Sequence, residues 1–497
     1  MKNSKNNVAS GLFWSYGERF FTQIVALVVS IILARLLSPE NYGTISIVMI
    51  FIALCEAVIS GGFGKAIIQK KDADELDADT MFCCSMAISA LLYGILFWAA
   101  PAIARFYQSD VICPILRVLG LQLLASGAHN ILAAWIQKQM LFRKFFVASF
   151  FGTMLSAVIG ISLAYLGAGP WALVAQSLTN IFVDTIVLLF TNNWRPRLRF
   201  SYERAKSLLS YGSKVLLTTI VFTIENNLRS LIIGKQFGSA DLAYYDQGKK
   251  FPNLLVSDIY SSLSSVIFPV LSQHQDDLEH LKQLVRQTVR IGIYLLAPML
   301  IGLIAVADSF ICAILSEKWM PCVPYLRILT LVFLLRPFST TCQQAILSIG
   351  RSDVYLKIIS ATTVTSIFTL VYAVFSLESM LWVALGRLIA ECVSLCLFSH
   401  YSKRLFAYER NDQLRDILPG CLLAGCMGIL TYLLPVLFHN HWLTLLVKIL
   451  FGATFYILVS WLLQADSFVY LISMLCEKIP GNTAKSILRK MIRTKSA

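Results

Sequence analysis

About fourteen apolar stretches, each long enough to cross a bilayer, leave this chain few ways to fold. Val147 to Gly167 and Ile358 to Leu377 hold no Asp, Glu, Lys or Arg. At a rise of about 1.5 Å per residue, segments of this length match a hydrocarbon core of roughly 30 Å. No water reaches that core to satisfy backbone N–H and C=O groups, so each span must close its own hydrogen bonds. Helices do this alone, and the spans are about twice as long as barrel strands. The fold class is therefore an all-α integral membrane protein. Its spans fall near 11–37, 42–64, 81–104, 114–135, 147–168, 171–191, 213–235, 242–270, 287–307, 324–346, 355–377, 380–400, 416–437 and 443–463.

Charge orients them. Of 42 Lys and Arg, 29 fall in alternate connecting segments and the two tails, while the remaining segments hold only Arg105, Lys235 and Lys318. Short basic loops stay on the cytoplasmic side, which puts both termini there and makes the span count even. With 14% charged residues against about a quarter in soluble domains, the net charge of +14 reads as topology and contact with anionic lipid, not as a nucleic-acid surface. Met1 to Ser10 is polar and the apolar stretch after it runs past Leu33, too long for a signal core, so the first span is expected to stay in the mature protein. Outward connections such as Ser38 to Asn41, Gly169-Pro170 and Phe438 to Trp442 leave no room for an external domain.

A linker from Asn192 to Lys214, opening with Trp194-Arg195-Pro196-Arg197, divides the spans after the sixth. Beyond it Ser210-Tyr211-Gly212 echoes Ser15-Tyr16-Gly17, and Ser239-Ala240-Asp241 sits where Ser38-Pro39-Glu40 sits after the first span. A period near 200 residues implies two pseudo-symmetric six-helix lobes, residues 1–200 and 201–402. Two additional transmembrane helices (403–464) and a basic cytoplasmic tail (465–497) follow, with Ile487 to Arg493 expected as a short helix on the inner surface.

Several segments resemble the Wzx-type oligosaccharide-lipid flippases. These form the polysaccharide transporter branch of a superfamily that also holds lipid II flippases and multidrug exporters. The carriers are Leu33-Ala34-Arg35-Leu36-Leu37-Ser38-Pro39-Glu40-Asn41-Tyr42-Gly43, Gly64-Lys65-Ala66-Ile67-Ile68-Gln69, Ala102-Ile103-Ala104-Arg105-Phe106-Tyr107, Ile232-Ile233-Gly234-Lys235-Gln236-Phe237, Leu242-Ala243-Tyr244-Tyr245 and Phe268-Pro269-Val270-Leu271-Ser272. They are turns and span ends, diagnostic of fold more than of cargo. The resemblance implies about 14 helices in two lobes. It also implies transport of undecaprenyl-diphosphate-linked oligosaccharide from the inner to the outer leaflet of the bacterial cytoplasmic membrane, for a surface polysaccharide such as capsule or O-antigen. Span seven departs from the pattern: Arg229 stands where the family more usually has Tyr or Asp.

A diphosphate cannot cross hydrocarbon without cationic or donor partners, and the guanidinium fork grips phosphate bidentately. The expectation is alternating access through a cationic central cavity, with Arg229, Lys249, Lys250, Arg336 and Arg19 binding the cargo. Charges at membrane depth are costly and should face protein or a wet cavity. Glu56, Asp184 and Glu225, and the Arg387/Glu391 pair four residues apart, are candidates for proton or sodium coupling or for charge pairing. Two readings stay open: a Glu four residues from an Arg locks helices together, and Lys249 and Lys250 snorkel to the interface.

The chain is not expected to be an enzyme or to carry a cofactor or metal. It lacks a His-Glu-x-x-His sequence and a phosphate-binding Gly-x-x-x-x-Gly-Lys-Ser/Thr loop. The acidic run Asp72 to Asp79 reads as a helix N-terminus, and His439 with His441 as an outward loop pair. Cys312 and Cys322 flank an outward loop and would pair only in an oxidising compartment. Expected partners are the lipid-linked sugar, membrane lipids, and glycosyltransferases and a polymerase of the same pathway, with no nucleic acid. The rivals are a lipid II flippase or multidrug exporter on the same fold, and a membrane polymerase or ligase, which would need a larger outward loop.

Overall fold

The computed structural model describes residues 2–435 and 440–478, with side chains described for most of them. The tail helix expected at Ile487 to Arg493, and His439, lie outside the described residues. The described residues are 87% helical, and there is no strand among them. Among the described residues, eleven helices are long and apolar enough to cross a membrane, and Phe20–Leu36 adds a shorter apolar stretch. Alternating helices and short connections make this a multi-pass membrane protein.

Contacts divide the chain into two compact units, Met1–Ala243 and Tyr244–Ala497. The first holds α1 (Lys2–Leu36), α2 (Pro39–Ser60), α3 (Phe63–Gln69), α4 (Glu75–Tyr107), α5 (Ile112–Leu119), α6 (Gln122–Lys138), α7 (Phe142–Tyr165), α8 (Pro170–Thr191) and α9 (Tyr202–Gln236). The boundary falls in the opening turns of α10 (Ser239–Gln273). The second unit continues with α11 (Leu278–Ile314), α12 (Val323–Ser348), α13 (Ser352–Phe375), α14 (Met380–Phe406), α15 (Arg410–Leu433), α16 (His441–Leu462) and α17 (Asp466–Lys478). Span seven therefore lies in α9, which packs against α2, α3 and α4 of the first unit.

Local sequence explains where the helices begin. Ser38 caps α2 by accepting from the Asn41 N–H, Pro39 occupies the first helical turn, and Glu40 adds an acid at the positive end. Asp74 and Asp77 form a reciprocal capping box at the start of α4. The same acidic run also fastens the linker. Buried Asp79 accepts from Trp194 Nε1 at 3.1 Å and from the Arg197 N–H at 3.0 Å, and the Thr80 hydroxyl accepts from the Ser201 N–H at 3.3 Å. Asp77, fully buried, pairs with Lys70 at 2.6 Å and Arg204 at 3.1 Å. The Arg204 guanidinium beside Asp74 holds that carboxyl well down, at about 2.

In the first unit α1 packs on α7, α7 on α8, and α6 on α4 and α8. Its buried core includes Phe63, Ile67, Met81, Ile131, Trp135 and Trp194. In the second unit α11 packs against α12, α15 and α16, and α13 against α14, around Val285, Val289, Phe338, Ile346, Phe398, Phe406 and Tyr408. Trp98, Trp171, Trp382 and Trp442 are exposed, as interfacial anchors are. Cys312 and Cys322 are free thiols, with Cys312 Sγ 3.3 Å from Met320 Sδ.

Candidate functional site

The first unit encloses a cavity of ≈ 600 Å³ walled by α1, α2, α6, α7 and α8. These helices are apolar as a class, yet each contributes polar side chains here: Glu18 and Thr22 from α1, Glu56 from α2, Gln122 from α6, Ser149, Thr153 and Ser156 from α7, Gln176, Ser177, Asn180 and Asp184 from α8. On α8, positions 173, 176, 177, 180, 181 and 184 recur at three and four, so one helical face supplies that wall. Small residues on α7 let this wall close: a Cβ on Gly160 would come within 2.9 Å of the Gln176 side chain.

Three carboxylates line the cavity, and its described lining holds no Lys or Arg. Glu56 Oε1 accepts from Gln122 Nε2 at 3.0 Å and from Ser126 Oγ at 3.0 Å. The Ser177 hydroxyl donates to Gln122 Oε1 at 3.1 Å, and Ser149 Oγ donates to Glu18 Oε1 at 3.2 Å. Asp184 Oδ2 lies 3.1 Å from His129 Nε2, while its Oδ1 is buried with no hydrogen-bond partner among the described residues. A carboxylate such as Glu56, hydrogen-bonded by a neutral amide and a hydroxyl, is a group that can accept a proton or a small cation.

The structure thus brings Glu56 and Asp184 together and adds residues that sequence reasoning passed over: His129, Gln122, Ser177 and Asn180. The available signal was polar residues three and four apart in otherwise apolar spans. Glu18 also lines this cavity, whereas the side chain of its neighbour Arg19 lies outside the described residues.

The other candidates are distributed over both units. Arg229 on α9 is buried, at 9% exposure, in the first unit, and Glu225 one turn earlier is exposed. In the second unit Lys249 is exposed and Lys250 half-buried on α10. On α12 the Arg336 guanidinium lies over the Phe333 ring, 4.3 Å from its centroid, a favourable cation–π contact. Arg387 and Glu391 on α14 approach to 3.9 Å, with Glu391 mostly buried.

The chain matches the family model described as polysaccharide biosynthesis protein over residues 32–324. It is 23% identical over 449 residues to the teichuronic acid biosynthesis protein TuaB of Bacillus subtilis (strain 168), covering 87% of this chain and 90% of that one. It is 25% identical to the succinoglycan biosynthesis transport protein ExoT of Rhizobium meliloti (strain 1021), covering 78% and 77%. Its fold is similar to that of the lipid II flippase MurJ in an inward closed conformation. That match has a TM-score of 0.74 at 15% identity and covers 92% of this chain and 99% of the other.

Proposed function

The chain belongs to the polysaccharide biosynthesis protein family, and its relative ExoT is a succinoglycan biosynthesis transport protein; from that premise we propose what it carries and how. It moves undecaprenyl-diphosphate-linked oligosaccharide from the inner to the outer leaflet of the bacterial cytoplasmic membrane, with both termini cytoplasmic, for export of a surface polysaccharide. The observation that carries this reading is the near full-length likeness to TuaB, a teichuronic acid biosynthesis protein. Cations on long helices support it, because a diphosphate cargo needs them: Arg229 is buried on α9, and Lys250 and Arg336 are partly buried on α10 and α12.

In this mechanism Arg229, Lys249, Lys250 and Arg336 engage the diphosphate, and the protein exposes its binding site alternately to the two sides. The polar sugar follows the headgroup while the polyprenyl chain stays in lipid. The carboxylate cavity of the first unit couples the cycle to protons or sodium, since a site of three acids binds cations in competition with one another and with H⁺. Asp184 and Glu56 hold the coupling ion; His129 positions Asp184.

Reconstituted vesicles holding a labelled lipid-linked oligosaccharide test both parts. The full chain is expected to expose cargo to an external reagent faster under an inward proton or sodium gradient than without one. Asp184→Asn and Glu56→Gln, which keep shape and hydrogen-bonding capacity, are expected to abolish the response to the gradient while leaving gradient-free movement within about threefold, the spread of a lost neutral contact. An unaltered gradient response in both variants removes the coupling assignment. The acidic cavity would equally suit an exporter of cationic compounds. Gradient-driven efflux of an organic cation, with no movement of lipid-linked sugar, would favour that reading.

A further inference from the structure

In the second unit α16 carries Lys448 into a chamber of ≈ 420 Å³ walled by α10, α11, α15 and α16, a size typical of ligand pockets. Its lining is almost wholly apolar, including Leu255, Leu303, Phe310 and Met427, and contains no carboxylate. Two of its three polar side chains are already satisfied. The Thr431 hydroxyl donates to the Met427 carbonyl at 2.7 Å, and the Tyr456 hydroxyl to the Tyr294 carbonyl at 2.9 Å. Lys448 is 8% exposed and has no hydrogen-bond or ion-pair partner among the described residues. A cation so placed in a membrane helix is costly unless an anion or water meets it.

The chamber is open on its lipid side: Ile449 and Ile457, both in its lining, are 50% and 56% exposed on the apolar surface of the unit. What reaches it comes from the membrane. Lys448 lies six residues beyond the exposed Trp442, about 9 Å along the helix, close enough for its stem to extend toward the headgroup level. One cation at the polar end of a hydrocarbon-lined chamber is complementary to an anionic headgroup carrying an aliphatic chain.

We propose that this chamber binds an anionic glycerophospholipid of the surrounding bilayer, its phosphate against the Lys448 ammonium and one acyl chain along Leu303, Val306 and Met427. Bulk lipid is the occupant because the opening faces the lipid-exposed sides of α11 and α16. The site then belongs to the resident membrane and not to the transported cargo.

Binding of phosphatidylglycerol and of phosphatidylcholine with identical chains to the purified full chain, followed by native mass spectrometry, tests this. The wild type is expected to prefer phosphatidylglycerol by about fivefold, the discrimination one lysine gives. Lys448→Met is expected to erase the preference and Lys448→Arg to retain it, while Gly302→Leu, filling the chamber from α11, weakens both lipids. Should the Met variant not fold, Lys448→Gln reads the same loss of charge. No preference in the wild type, or an undiminished one in Lys448→Met and Lys448→Gln, overturns the site. Polyprenyl phosphate displacing phosphatidylglycerol at equal concentration, dependent on Lys448, overturns the assigned occupant.

Discussion

Replacing Gly43 by alanine is expected to remove most of the folded protein from the membrane. A Cβ at this position would lie 1.7 Å from the Ser239 carbonyl oxygen and 2.3 Å from its carbon. Both are backbone atoms, so no side chain can swing aside, and α2 or the start of α10 must move. Overpacking costs about 1–3 kcal/mol where side chains yield, and a rigid backbone contact belongs at or above the top of that range. Gly43 closes the segment Ser38-Pro39-Glu40-Asn41-Tyr42-Gly43, and Ser239 opens its faint second copy, so the two related helix starts meet at this residue. Gly94→Ala is the matched control: nothing lies within 4 Å of a Cβ there, and in a helix interior the change should be neutral or stabilise by about 0.5–1 kcal/mol. Detergent-solubilised yield and thermal midpoint distinguish the two.

Asp416→Ala is expected to cause the second large loss, of about 3 kcal/mol in the second unit. Asp416 is fully buried near the start of α15, where Arg286 contributes Nε at 2.8 Å and Arg290 Nε at 2.5 Å, both from α11. The Tyr408 hydroxyl, itself buried, donates to it at 2.8 Å. Removing the carboxylate strands that hydroxyl without a partner and leaves the Arg286 and Arg290 guanidiniums side by side, although Asp412, 3.5 Å from Arg286, and their partial exposure to water soften the second effect. The exposed Arg351–Asp353 pair, 2.9 Å apart, provides the contrast: Asp353→Ala should leave the thermal midpoint within error. Equal effects of the two substitutions would show that burial is not what gives the Asp416 cluster its weight.

Much of the fold was legible because a bilayer reads hydropathy directly. Charge-free segments such as Val147 to Gly167 have no alternative to a helix, and Ser38-Pro39 marks a helix start by its own chemistry. The acidic run Asp72 to Asp79 likewise signals the start of α4. That Asp79 also reaches Trp194 and Arg197 across more than a hundred residues was invisible, since nothing local distinguishes it from its acidic neighbours. The same holds for Asp416 and its arginines on another helix. At the site, Glu56 and Asp184 stood out as acids in apolar spans. Gln122, Ser177 and Asn180 did not, because neutral polar residues are common in membrane helices and only tertiary packing gathers them around one cavity. Arg229, Lys250 and Arg336 were visible as charges, but a linear sequence does not tell a cargo contact from a helix lock, and the Arg336 contact with Phe333 shows how such a charge finds local company.

Transport of the cargo itself, by the wild-type chain and by Arg229→Ala, Lys250→Ala and Arg336→Ala proteins in vesicles of one lipid composition, bears most directly on the function. With a labelled undecaprenyl-diphosphate oligosaccharide, the wild type is expected to move cargo between leaflets and each variant to slow it by about tenfold or more, as loss of a charge-assisted phosphate contact implies. No movement by the folded wild type, or wild-type rates in all three variants, would contradict the assignment of these cations to a diphosphate.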